Sequence, residues 1–200
     1  MYKSNEIICV SDRKSCDNDF LLQIEKVSKA GISKLILRDK EISEDEYFSL
    51  AQKVIPICEK NGVELILHSF YDVAAKLSYD KIHLPLNLFV KKSNALDRFA
   101  LKGTSVHSVE DALIAKKMGA DYIVAGHIFE TDCKKDLEPR GIKFLTQICK
   151  VVTDIPVYAI GGINSNNAKE CFENGAKGVC IMSGFMKSQM PSEIARKIKL

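Results

Sequence analysis

Short apolar runs alternate along this chain with longer segments in which apolar positions recur at helical spacing. The runs fall at residues 7–10, 34–37, 64–67, 81–84, 101–105, 122–125, 156–160 and 178–182. Each is four or five residues long, and they are mostly apolar, as expected for parallel strands buried on both faces. Between them lie helical patterns such as residues 43–60 and 108–118. Ser108, followed by Glu110 and Asp111, places a capping hydroxyl and negative charge at a helix start, where the helix dipole favours both. Gly31, Gly62, Gly119 and Gly175 each stand where such a segment ends, and glycine enters the left-handed region cheaply. Tyr47, Leu50, Val54 and Ile57 form a helical stripe that reads as core.

Eight strands with crossover helices of this length make either a closed barrel or a doubly wound open sheet. The even rhythm, and the lack of any GxGxxG after the first run, select the barrel. The predicted architecture is thus α/β, a single (β/α)8 TIM barrel spanning residues 1–200 as one domain. No Pro-, Gly- or Ser-rich stretch divides the chain.

Composition narrows the partners. Of 200 residues, 29 are basic and 26 acidic, and a net charge of +3 is too small to suggest nucleic acid or an anionic membrane as partner. No apolar run approaches the ~18 residues of a membrane span, and residues 1–10 include Lys3, Asn5 and Glu6, so no apolar signal core is expected. The seven cysteines include no CxxC pair and are odd in number. They read as free thiols of a reducing compartment, and the expected location is cytoplasmic.

In such barrels the chemistry sits at the C-terminal strand ends. Arg38, Asp39 and Lys40 follow the second strand, His68 the third, and His83 lies near the end of the fourth. Ser105 and His107 belong to the fifth strand end, and His127 directly follows the sixth. All four histidines therefore map to one face, which suits general acid–base work near neutral pH. Without an HxH or HExxH pair, a metal site is not expected. The loop after His127 is long and polar, carrying Thr131, Cys133, Lys134, Lys135 and Arg140, and its cations suit an anionic ligand. Gly161-Gly162 after the seventh strand and Ser183-Gly184 after the eighth, the latter opening the last helix, suit a phosphate held by backbone amides. Ser105 lacks a nucleophile-elbow context and reads as a ligand hydroxyl.

The run Gly126-His127-Ile128-Phe129-Glu130-Thr131-Asp132-Cys133-Lys134-Lys135, followed by Arg140-Gly141, resembles the TenI-type thiazole tautomerases. The segments 159–163 and 179–184 also resemble the wider thiamine phosphate synthase superfamily, and the similarity runs from about residue 8 to residue 186. That superfamily's synthase joins a pyrimidine diphosphate to a thiazole phosphate with magnesium. Its pattern of Arg and Lys after strand two is matched by Arg38 and Lys40. Its Asn-Asp-Arg after strand three is His68-Ser69-Phe70 here, and its Gly-Gln-x-Asp after strand four is Pro85-Leu86-Asn87-Leu88. The carboxylates that would hold magnesium are therefore absent, and the synthase's Gly-Pro after strand six is Gly126-His127. Asp136 stands where many relatives carry glycine.

What the resemblance implies is aromatisation of a carboxythiazole phosphate, with His127 moving the proton and no cofactor or metal required. Arg38 and Lys134 would lie near the carboxylate, Lys40, His68, Ser105 and Thr131 would complete the substrate site, and Gly161, Gly162, Ser183 and Gly184 would hold the phosphate. His68 is the rival candidate for the base. The competing functions are the magnesium-dependent synthase reaction and a non-catalytic regulatory or ligand-binding barrel. A homodimer is compatible with all of them.

Overall fold

A computed structural model describes residues 5–17, 19–134 and 137–199. Lys135 and Asp136, both singled out above, lie outside the described residues. Eight strands close into one parallel barrel in chain order: β1 (Glu6–Val10), β2 (Lys34–Leu37), β3 (Glu64–His68), β4 (Lys81–Pro85), β5 (Leu101–Val106), β6 (Tyr122–Gly126), β7 (Val157–Ile160) and β8 (Gly178–Ile181). The helices are α1 (Phe20–Ser28), α2 (Glu44–Lys60), α3 (Tyr71–Lys76), α4 (Leu86–Lys91), α5 (Val109–Lys117), α6 (Gly141–Val151), α7 (Ala168–Glu173), α8 (Ser183–Met186) and α9 (Pro191–Lys199). The TIM barrel read from the sequence is the observed fold.

The local reasons are those the sequence offered. Ser43 accepts the Glu46 amide while Glu46 reaches back to the Ser43 amide, closing a capping box on α2. The Ser108 hydroxyl accepts the Asp111 amide at the start of α5. One expectation needs correcting: Ser183-Gly184 opens the four-residue α8, while the last helix is α9.

Alternation along the strands divides the core in two. Outward residues such as Ile7, Cys9, Leu35, Leu37, Leu65 and Leu67 pack under the helices. Inward residues Ile8, Val10, Ile36, Ile66, Tyr122, Val124, Tyr158 and Cys180 fill the barrel. Gly103 makes room for the Tyr122 ring, since a Cβ there would lie 2.1 Å from it. The same parity carries the strands from Ile36 to Arg38, from Ile66 to His68, and from Gly103 to Ser105, so these side chains rise from the barrel interior into its C-terminal mouth.

The opposite end is closed by charge. Lys34 and Lys177 contact the Glu6 carboxylate at 2.8 and 3.2 Å, and the Tyr158 hydroxyl donates to it at 2.9 Å. Burial pushes the Glu6 carboxyl up, but these hydrogen bonds and the Lys34 charge outweigh it, leaving the pKa below its ordinary value. A carboxylate with a depressed folded-state pKa contributes stability above its unfolded pKa and loses it as pH falls through the folded one. Glu6→Gln should therefore cost roughly 1–3 kcal/mol at neutral pH, and the gap from the parent should close below about pH 4. Chemical denaturation at both pH values measures this; a gap that stays constant with pH would refute the charged role.

Candidate active site

The mouth of the barrel gathers the predicted residues in two tiers. The lower tier is a floor of neutral groups. His68 and His83, paired in register on β3 and β4, stack with ring centroids 5.4 Å apart and planes 17° from parallel. His83 Nδ1 lies 3.0 Å from the Tyr122 hydroxyl, and its Nε2 lies 2.8 Å from the Ser105 hydroxyl. Burial alone pushes the His83 pKa down to about 3. His68 is also held well below its usual value, first by burial and then by His83, Arg38 and Lys40. Both imidazoles are therefore neutral near pH 7.

His68 is positioned from behind. Tyr47 on α2 donates its hydroxyl to the Leu37 carbonyl at 2.6 Å and accepts the His68 amide at 2.8 Å. The helical stripe thus does more than fill core: one member pins the ends of β2 and β3. Ser69 follows with φ of +67° and lies 2.8 Å from His68 Nδ1.

The upper tier is cationic. Ser11 links the ends of β1 and β2, accepting the Arg38 amide at 2.8 Å and donating to its carbonyl at 3.1 Å. Arg38 sits 3.6 Å from Asp12, while Arg13 pairs with buried Asp39 at 2.8 Å. Lys40 has a lowered pKa through partial burial and the nearby charges of Arg38 and Lys134. Lys134 is lowered likewise by burial and by Arg140. Four cations from two separate loops therefore converge on one side, in the pattern of an anion site.

The described residues that follow β6 are tied to the turn after β7, and these anchors were not foreseen. The Ile128 and Phe129 amides donate to the carbonyls of Ile160 and Gly161, at 2.9 and 3.0 Å. The Arg140 amide donates to the His127 carbonyl at 3.0 Å, closing the loop on itself. His127 is buried, and its Nε2 lies 3.2 Å from the Leu137 carbonyl. A carbonyl only accepts, so Nε2 carries a proton, and it is Nδ1 that can offer a lone pair. Thr131 serves the loop itself: its hydroxyl accepts the Cys133 amide at 3.4 Å and its carbonyl the Lys134 amide at 3.0 Å.

Gly161 and Gly162 have φ of +101° and +66° and lie against residues 127–130. A Cβ on Gly161 would stand 2.2 Å from the His127 Cβ, and one on Gly162 would stand 2.2 Å from the Glu130 carbonyl. These glycines seat the histidine loop whatever else they bind. Ser183 is half-buried at the end of the neighbouring β8, so the two turns expected to hold phosphate are adjacent. His107, which the sequence placed here without a role, is tied through Nδ1 to the Gly126 carbonyl at 2.7 Å.

A magnesium ion, which a synthase would require, does not suit the residues present. At the two positions where carboxylates are expected, the Ser69 hydroxyl lies 2.8 Å from His68 Nδ1 and Leu88 packs against the core. Asp12 and Asp39 are engaged by arginines. Among the described residues no group of three or more His, Cys, Asp or Glu side chains is arranged to hold a metal ion. No helix among them is long and apolar enough to cross a membrane.

Residues 7–185 match the protein family described as "Thiamine monophosphate synthase". The chain is 35% identical over 185 residues to "Putative thiamine-phosphate synthase 2" of Aquifex aeolicus, covering 90% of this chain and 97% of that protein. It is 36% identical over 184 residues to "Thiamine-phosphate synthase" of Desulfitobacterium hafniense strain Y51, covering 89% and 87%. Among solved structures, "Thiamine phosphate pyrophosphorylase from Pyrococcus furiosus" superposes with a TM-score of 0.84 at 26% identity, covering 98% of this chain and 95% of that one.

Proposed function

The chain belongs to the thiamine monophosphate synthase family of thiamine-biosynthetic enzymes, and within it we propose the tautomerase reaction, aromatisation of a carboxythiazole phosphate. The observation that carries this reading is His127: a buried imidazole whose Nε2–H is committed to the Leu137 carbonyl, leaving one lone pair at Nδ1. That is the group a single-residue proton shuttle requires.

In this reaction Nδ1 takes the proton from ring C2 as that C–H bond breaks. The electron pair moves through the ring toward the exocyclic carbon, which then takes the proton back from Nδ1. Nothing is oxidised or reduced, and the Leu137 carbonyl stabilises the transient imidazolium. Arg38 and Lys134 neutralise the carboxylate, with Lys40 and Arg140 adding to the field. The turns at Gly161-Gly162 and Ser183-Gly184 hold the phosphate. The neutral floor of His68, His83 and Ser105 takes the ring.

The names of the relatives favour the synthase reaction instead, and that second reading has its own measurable product. Proton NMR of the non-aromatic carboxythiazole phosphate, without added metal, separates the two. Aromatic product should appear faster with protein than without. No acceleration at any protein concentration, together with magnesium-dependent thiamine phosphate from pyrimidine diphosphate and thiazole phosphate, would replace the tautomerase by the synthase.

A further inference from the structure

The Tyr122–His83–Ser105 chain joins three strands and runs from the sealed barrel interior up into the mouth. Hydrogen-bond bookkeeping gives it a direction. His83 is neutral, so only one ring nitrogen carries a proton. Tyr122 is fully buried, and His83 Nδ1 is the one hydrogen-bond partner of its hydroxyl among the described residues. If Nδ1–H donated to the phenol, the phenol proton would be buried with no acceptor, an arrangement native interiors avoid. The phenol therefore donates to Nδ1, and the imidazole proton sits on Nε2. Nε2–H then donates to the Ser105 oxygen, 2.8 Å away. The Ser105 hydroxyl proton is left over. Ser105 is half-buried at the mouth, where a ligand would meet it.

We infer that Tyr122 is a positioning residue which, by fixing the tautomer of His83, makes the Ser105 hydroxyl a hydrogen-bond donor to the bound ligand. The ligand group it recognises is an acceptor, a carboxylate oxygen or a ring nitrogen; a group that can only donate is rejected there. This rests on the proposed tautomerase reading only for the identity of the ligand. The direction of the chain rests on the protein's own hydrogen bonds.

Two measurements test it. In 15N NMR of the ligand-free protein near neutral pH, His83 should show a pyridine-type Nδ1 and a pyrrole-type Nε2. The reverse pattern would overturn the proposal whether or not the protein is a tautomerase. Calorimetric titration with the aromatic carboxythiazole phosphate then reads the consequence. Ser105→Ala should weaken binding about tenfold, and Ser105→Thr should restore it. Tyr122→Phe keeps the ring that packs over Gly103. It should weaken binding by a similar factor, and the double variant should be no weaker than Ser105→Ala alone. Fully additive losses, or an Ser105→Ala variant that binds as the parent does, would refute the relay. If the parent itself fails to bind this thiazole, the proposed reaction falls, and the 15N pattern alone decides the relay.

Discussion

Exchanging His127 for Asn should lower the tautomerisation rate about 10²–10⁴-fold while leaving binding of the aromatic product within a few-fold of the parent. The expectation follows from what the ring does and does not touch. Its Nε2–H is spent on the Leu137 carbonyl, so proton transfer has only Nδ1 to use. Asparagine has similar reach but an amide that neither takes nor returns a proton near neutral pH. The cations at Arg38, Lys40 and Lys134 and the turns after β7 and β8 are untouched by the change, so the ligand should still be held. His68 is the informative comparison. It is buried, neutral, stacked on His83 and bonded to Ser69, a setting that suits contact with a flat ring. His68→Asn should therefore raise KM more than it lowers kcat. A near-native rate in His127→Asn with the chemical step lost in His68→Asn would transfer the shuttle to His68. NMR turnover and product-binding titration on both variants decide it.

The barrel was readable in the chain because most strands are short, largely apolar runs, and that signal is local. Strand ends were less legible. His68, Pro85, Val106 and Gly126 each extend the predicted run by one residue, because the ladder to the neighbouring strand continues one position further. Of the site, charge at the strand ends could be read directly, since Arg38 shares the inward parity of Ile36. What could not be read is what holds each group. Tyr47 looked like one more member of a helical core stripe, yet its hydroxyl bridges residues ten before it and twenty-one after it. Tyr122 looked like the first residue of a strand, yet its partner is thirty-nine residues away. Such contacts depend on the register of closed strands, for which a single sequence carries no periodic signal. Gly161-Gly162 was legible as a turn that admits close approach. That the approaching group includes the protein's own histidine loop emerged only from the folded chain.

That loop contact sets the second large effect. Gly161→Ala should destabilise the protein by about 2–4 kcal/mol and lower turnover about a hundredfold, although Gly161 has no side chain to react. Two costs combine. The backbone sits at φ of +101°, which side-chain-bearing residues rarely adopt. The new methyl would also lie 2.2 Å from the His127 Cβ and 2.7 Å from its Cα. Neither atom can swing aside as the tip of a flexible side chain could, so the loop backbone must move and carry the imidazole with it. A displacement near 1 Å at the proton-transferring atom is enough to lose about two orders of magnitude in rate. Gly62→Ala supplies the control for strain alone, since Gly62 also has positive φ, at +65°, but nothing lies within 4 Å of its added Cβ. That variant should lose about 1 kcal/mol and keep its rate, measured well below its melting temperature. If Gly161→Ala behaved the same way, modestly destabilised with turnover intact, the seating of His127 on Gly161 would not govern the chemistry.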